Sequence, residues 1–355
     1  MDSKEPSWEE VHPHFIKEVR IEGFLGSKKI ILPLDDVSVV IGPNGSGKTT
    51  VLNILAGMLL DDRFDNSLIN RFDKVEIEFN NGEILKCING PTIPEDLKDS
   101  FKSFMQEKLV SKVKKKSKDL DLSFENEDDF QKVVALIKKI SDGYVGSLRF
   151  NRDFHKDNED NKLVNIQRVS TFDMIMLDSK KLEKYPQARL SQLDVILNEE
   201  IAKLTKHLLL ISMDSQEQQR IKAKKYFKKN INDISVFEKV LNELLAVTNK
   251  SFKIEKNGDF SIIQNGKHLK LTELSSGEKQ LIYIMCVVVN SRGKDTILLM
   301  DEPEVSLSLN WQRNLLKSMF RINSNLQIIL VSHSPAVVTD GWVTKLVEME
   351  EIIVK

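Results

Sequence analysis

The chain has 355 residues, 41% of them apolar, with only 15 Gly and 9 Pro, which is enough to bury a sizeable core in two or three domain-sized units and excludes a disordered chain. Its 52 Lys and Arg against 53 Asp and Glu leave a formal charge of −1, so whole-chain attraction to nucleic acid or anionic membrane is excluded and any such binding falls to local patches. Cys87 and Cys286 lie far apart with no CxxC or His-rich context, which excludes a cysteine metal or redox site and fits a reduced, cytoplasmic protein.

The N-terminal MDSKEPSWEEVHPHF lacks a basic segment followed by an apolar run, and no 18 apolar residues occur in succession. Neither export nor a membrane span is expected. FIKEVRIEGF, KKIILPL and DVSVVI read as short strands over residues 15–41, the last running into Gly42. Helical spacing of apolar residues follows over 48–60, then a strand, tight turn and strand in KVEIEF, NNGE and ILKCI.

From about Pro94 to Asp233 the pattern changes to charged, helix-like segments around 95–118 and 126–141, with a strand pair expected near SLRFNRDF and KLVNIQRV. Between Pro186 and Gly258 there is no Pro or Gly, and Leu190, Leu193, Leu197, Ile201, Leu204, Leu208 and Ile211 step by three or four residues. One apolar seam therefore runs along a helix, packed on its own head or a hairpin partner, the alternative being a short arm for dimerisation or a partner. The strand pattern returns after residue 250 in FKIEK-NGD-FSIIQ-NGK-HLKL, a meander with two Asn-Gly turns. An apolar helix follows LSSGEKQ, then TILLMDEPE as a buried strand, LNWQRNLLKSMFRI as a helix, LQIILVSHS as a buried strand and VTKLVEME as a last one. Near-continuous apolar strands alternating with helices imply an α/β fold with a parallel sheet covered on both faces. The organisation expected is a head split into residues 1–95 and 236–355, interrupted by a mainly helical insertion over 96–235.

Chemistry enters with GPNGSGKTT, residues 42–50. It satisfies G-x-x-x-x-G-K-[ST] between a strand and a helix, the context that makes it a phosphate loop. Gly42, Gly45 and Gly47 let backbone N–H groups turn toward phosphate oxygens, with Pro43, Asn44, Ser46 and Thr50 completing the loop and the helix N-terminus adding its dipole. Lys48 is expected at the β- and γ-phosphates of ATP and Thr49 on Mg2+. ILLMDEPE places Asp301 and Glu302 at the C-terminal end of a core strand, Asp301 toward Mg2+ and Glu302 as the base for the attacking water. Glu304 is open between a direct and a structural role. His333 ends the neighbouring strand, where a contact to the γ-phosphate is expected. Ser275, Ser276, Gly277 and Glu278 open a helix with a hydroxyl and a small residue, an anion-binding end. One copy of each half per chain calls for two chains to make two sites.

In this order the motifs resemble the ATP-binding-cassette class of ATPase, which includes transporter engines and the heads of RecF-, Rad50- and SMC-like DNA proteins: phosphate loop 42–50, signature 274–278, acid-bearing strand 297–302, D-loop region 306–310 and His333. The resemblance implies a homodimer in which Ser275 and Gly277 of one subunit meet ATP held by the other. DEPEVSLSLNWQ and SHSPAVVTDGW further resemble the small "overcoming lysogenization defect"-like ATPases of bacterial defence systems such as Septu, retron-associated and PARIS systems. Such relatives often have His where this chain has Ser308, which bears on coupling between subunits. Gln167 is the candidate for the family's Q-loop glutamine, an ordinary strand residue being the other reading. Only 22 residues follow His333, so no effector domain is expected in the chain and a separate nuclease partner is. The readings that remain beside a defence regulator are a DNA-repair ATPase, supported by the basic runs 108–118 and 220–229 through weak, salt-sensitive DNA contact, and a transporter engine.

Overall fold

A computed structural model of the chain describes residues 7–60, 68, 71–89, 149–150, 164–170, 191–213, 234–255, 260–339 and 341–354. A one-turn helix α1 (Trp8–Val11), closed by a capping box between Ser7 and Glu10, leads into strands β1 (Ile16–Phe24), β2 (Lys28–Pro33) and β3 (Val37–Ile41). Then come helix α2 (Lys48–Leu59) and strands β4 (Lys74–Phe79), β5 (Ile84–Ile88), β6 (Arg149–Phe150) and β7 (Asn165–Ser170). Helix α3 (Gln192–Met213) and helix α4 over residues 234–245 precede the meander β8 (Lys250–Ile254), β9 (Phe260–Gln264) and β10 (Lys267–Leu269). The last part holds α5 (Ser276–Asn290), β11 (Thr296–Asp301), α6 (Leu309–Ile322), β12 (Leu326–Val331), β13 (Leu346–Glu348) and β14 (Ile353–Val354).

The described residues form three sheets. The central one is parallel, in the order β13-β3-β12-β11-β7, and an antiparallel sheet runs β14-β2-β1-β4-β5-β6. The meander forms a third, β10-β9-β8. Every residue of β11 and β12 is buried, as their unbroken apolar runs require. Their side chains alternate between two cores, as the two-residue period of a strand dictates. Val40, Ile297, Leu299, Ile329 and Val331 join α2 and the inward residues of β1, β2 and β4 in one cluster. Val39, Leu298, Met300, Ile328 and Leu330 join α3, α4, α5 and α6 in the other. Gln327 is fully buried in β12 and fully used: its side chain accepts from the Ile16 N–H at 2.8 Å and donates to the carbonyls of Ile16 at 2.6 Å and Asp35 at 3.1 Å, stitching the parallel sheet to the start of β1.

Three described parts of the 96–235 segment, β6, β7 and α3, pack with elements outside it. β7 is an edge of the parallel sheet, paired in parallel with β11, and α3 lies against α5 with Leu193, Leu197 and Leu204 buried. The apolar seam over those residues thus faces the head. Among the described residues the strand pair expected within this segment is not seen: β6 pairs antiparallel with β5 and β7 parallel with β11, in different sheets. The helices expected around 95–118 and 126–141 and the basic runs 108–118 and 220–229 lie outside the described residues.

Candidate ATP site

The site sits where β3, β11 and β12 end, at the carboxyl edge of the parallel sheet, the place where open α/β sheets bind ligands. β3 delivers residues 42–47 as a loop whose tip, Pro43 to Gly45, is exposed, and Gly47 caps α2. Gly47 has φ 99°, and a Cβ there would lie 2.6 Å from the Phe24 ring, so both the turn and the packing require glycine. Lys48 is 4% exposed, and its ammonium donates to the carbonyls of Gly42 at 2.9 Å and Pro43 at 3.0 Å. Burial lowers its pKa, an effect that the charges of Glu302 and Asp301 partly offset. The Ser46 hydroxyl is buried inside the loop without a hydrogen-bond partner. A lysine ammonium and a buried hydroxyl without a partner, inside one glycine-rich loop at a helix N-terminus, are groups fitted to phosphate oxygens.

Thr49 lies one residue into α2, and its hydroxyl donates to Asp301 Oδ1 at 3.2 Å. This joins the two groups expected to hold Mg2+, and one hydroxyl and one carboxylate oxygen are hard ligands suited to it. Glu302 follows with φ 46°, a left-handed conformation that costs a non-glycine residue about 1 kcal/mol. Its N–H donates to the Val331 carbonyl at 2.8 Å, which extends the parallel ladder by one residue. Its carboxylate lies 3.2 Å from His333 Nε2. Lys48, Thr49, Asp301, Glu302 and His333, drawn from three separate segments, therefore converge.

Glu304 is the residue whose role the sequence left open. It is 5% exposed, and one carboxylate oxygen accepts from the Ser332 hydroxyl, from the His333 N–H at 3.0 Å and from the Ser334 N–H at 3.3 Å. It faces the loop after β12. Only the folding of two distant loops onto each other reveals this; the acidic DEPE run was the one available signal.

Residues 274–278 form the start of α5. Ser275 is the N-cap, its hydroxyl accepting from the Glu278 N–H at 3.3 Å while Glu278 Oε2 accepts from the Ser275 N–H at 2.9 Å, a capping box. Because that hydroxyl accepts, its proton is free to be donated outward, and Ser275 and Ser276 are both exposed. Glu278 is buried and paired with Lys250 of β8 at 2.6 Å. Burial opposes its charge, but Lys250 and the Ser275 backbone outweigh this and hold the pKa below the ordinary glutamate value. Gly277 touches the turn after β11, where a Cβ would lie 2.2 Å from the Ser306 carbonyl oxygen. Among the described residues no hydrogen bond joins 274–278 to 42–50.

Gln167 is not brought to the site. It sits level with Leu298 in β7, three residues short of the pair Asp301 and Ser170 and so about 10 Å from the sheet edge, and its side-chain amide donates to Asn165 at 3.0 Å.

A family model described as AAA ATPase domain matches residues 15–338, nearly the whole chain. The chain belongs to the AAA ATPase domain family. Curated relatives include a retron Vc95 probable ATPase of Vibrio cholerae serotype O1 biovar El Tor, 32% identical over 92 residues, covering 23% of this chain and 18% of that protein. A retron Ec83 probable ATPase of Escherichia coli is 24% identical over 143 residues, covering 32% of this chain and 26% of that protein. The matched region thus spans only 18% and 26% of these two relatives' length. Among solved structures, the SMC head domain from Thermotoga maritima aligns over 91% of each chain at 16% identity with a TM-score of 0.41. Among the described residues no helix is long and apolar enough to cross a membrane.

Proposed function

We propose that this AAA-family chain binds and hydrolyses ATP, closes as a homodimer around it, and regulates a separate effector, a nuclease, in anti-phage defence. The observation that carries the ATPase reading is the convergence of Lys48, Thr49, Asp301, Glu302 and His333 at the carboxyl edge of one parallel sheet. Lys48 exchanges its loop carbonyls for phosphate oxygens, and the loop N–H groups and the α2 N-terminus orient the phosphates. Thr49 and Asp301 hold Mg2+, which when bound offsets phosphate charge. Glu302 takes the proton of the attacking water, and His333, in contact with that carboxylate, holds it in place and faces the transferred phosphoryl group. The exposed Ser275 and Ser276 at the N-terminus of α5, unbonded to the chain's own phosphate loop, support a composite site completed by a second copy.

The defence reading rests on the similarity to retron probable ATPases and on the DEPE and SHSP segments. Its test is phage restriction in cells carrying the intact system with Lys48→Ala or Glu302→Gln in this chain. Both variants are expected to lose restriction or to release effector toxicity; unchanged restriction in both contradicts a regulatory role. Co-purification of the product of the neighbouring gene identifies the effector.

A further inference from the structure

The turn after β11 does two jobs in one short segment. It presents Glu302, and two residues later it buries Glu304 against the loop that carries His333. A carboxylate taken out of water is costly unless hydrogen bonds replace its hydration. Here one oxygen gathers donors from three consecutive residues, Ser332, His333 and Ser334. Among the described residues no cation pairs with Glu304, and Oε2 has no hydrogen-bond partner. The arrangement is therefore a grip on a loop, not an ion pair.

Gln312 of α6 backs this grip from the other side. Its amide donates to the carbonyls of Leu307 at 2.9 Å and Glu304 at 3.4 Å, and its carbonyl oxygen accepts from the Ser334 hydroxyl at 2.7 Å. The turn itself is tied by Val305 N–H to Glu302 O at 3.1 Å and Leu307 N–H to Glu304 O at 2.9 Å. Both ends of the 3.2 Å contact between Glu302 and His333 are thus fixed to the same few residues. The His333 imidazole, over a third exposed, has no other described partner to orient it.

We propose that Glu304 is a positioning residue that sets the His333 imidazole against Glu302, and so controls the hydrolysis step without touching nucleotide. This rests on the ATPase reading above. Displacing a reacting group by about 1 Å costs on the order of 100-fold in rate, whereas Glu304 faces the His333 loop and not the phosphate loop. Loss of the grip therefore lowers kcat and spares ATP affinity. Gln at 304 keeps one carbonyl oxygen for all three donors and puts its amide where Oε2 lacks a partner.

Two measurements on the full chain test it. In steady-state ATP hydrolysis, Glu304→Leu is expected to lower kcat at least tenfold with KM within about twofold, Glu304→Gln to keep kcat within about threefold, and Glu304→Leu to add no further loss in a His333→Ala background. An equal loss in that background, or a KM change as large as the kcat change, overturns the proposal. The second measurement needs no turnover: in protein labelled with 13C-histidine, the His333 imidazole signal, assigned by its absence in His333→Gln, shifts in Glu304→Leu and stays in place in Glu304→Gln. An unmoved signal in Glu304→Leu overturns the proposal. Absence of ATP hydrolysis by the wild type counts against the ATPase reading alone, and the imidazole signal still decides the role of Glu304.

Discussion

Gly277 shows how a single hydrogen atom decides a contact. It lies within the first turn of α5, and replacing it with Ala at an ordinary helix position gains about 1 kcal/mol. Here the new Cβ meets a backbone oxygen, Ser306 O, at 2.2 Å. That oxygen belongs to a residue with φ 70°, in a turn bounded by Glu302 with φ 46°, so it has little freedom to retreat. Overpacking costs typically 1–3 kcal/mol, and the clash is with backbone, so the penalty outweighs the propensity gain. Gly277→Ala is expected to be destabilised by about 1–2 kcal/mol in urea unfolding; a stabilised variant shows that the Ser306 turn yields. Lys48 and Glu302 were legible in the sequence because their motifs are local. Glu304 was not, since the donors that define it arrive from residues 332–334.

At the scale of elements, two buried ion pairs lock the start of α5 to its surroundings. Glu278 holds β8 through Lys250, and Lys279 reaches Asp194 at 2.8 Å, with Asp194 also taking the Ser191 N–H at 2.8 Å as the cap of α3. Burial raises the Asp194 pKa, but the bonds from Lys279 and Ser191 outweigh it and leave the carboxyl below the ordinary aspartate value. A lowered folded-state pKa means stability that is fully present above the unfolded value, about 3.9, and lost as pH falls through the folded one. Asp194→Asn leaves Lys279 buried without its counter-charge, a loss of about 3 kcal/mol at pH 7. The gap between wild type and variant is expected to narrow as pH falls below the ordinary aspartate value, about 3.9; a gap that stays constant as pH is lowered in denaturant titrations contradicts the assignment. This link joins α3, within the expected insertion 96–235, to α5. The apolar seam of α3 was visible in its spacing, but its partner, α5, is some 80 residues away, and periodicity does not name a partner. For the same reason KLVNIQRV was readable as a strand while its place beside β11, and so the mid-strand position of Gln167, was not.

For the whole molecule, the buried strands β3, β11 and β12 and the helices α2, α5 and α6 were readable, because an all-buried parallel sheet writes its strands as apolar runs and its candidate site residues follow just after them. Among the described residues no hydrogen bond joins the α5 N-terminus of the chain to its own phosphate loop. Two chains each contributing one half resolve this, and mixing variants tests it most directly. Lys48→Ala removes the phosphate lysine from one half. Ser276→Glu places a negative charge at the exposed first turn of α5, favourable for the helix and repulsive to a triphosphate. Each purified alone is expected to be inactive. Mixed in equal amounts, they form one intact composite site per heterodimer, from the phosphate loop of the Ser276→Glu chain and the α5 N-terminus of the Lys48→Ala chain. The account predicts that ATP hydrolysis, absent in either variant, reappears on mixing; a mixture as inactive as its components, at concentrations where the wild type is active, contradicts it.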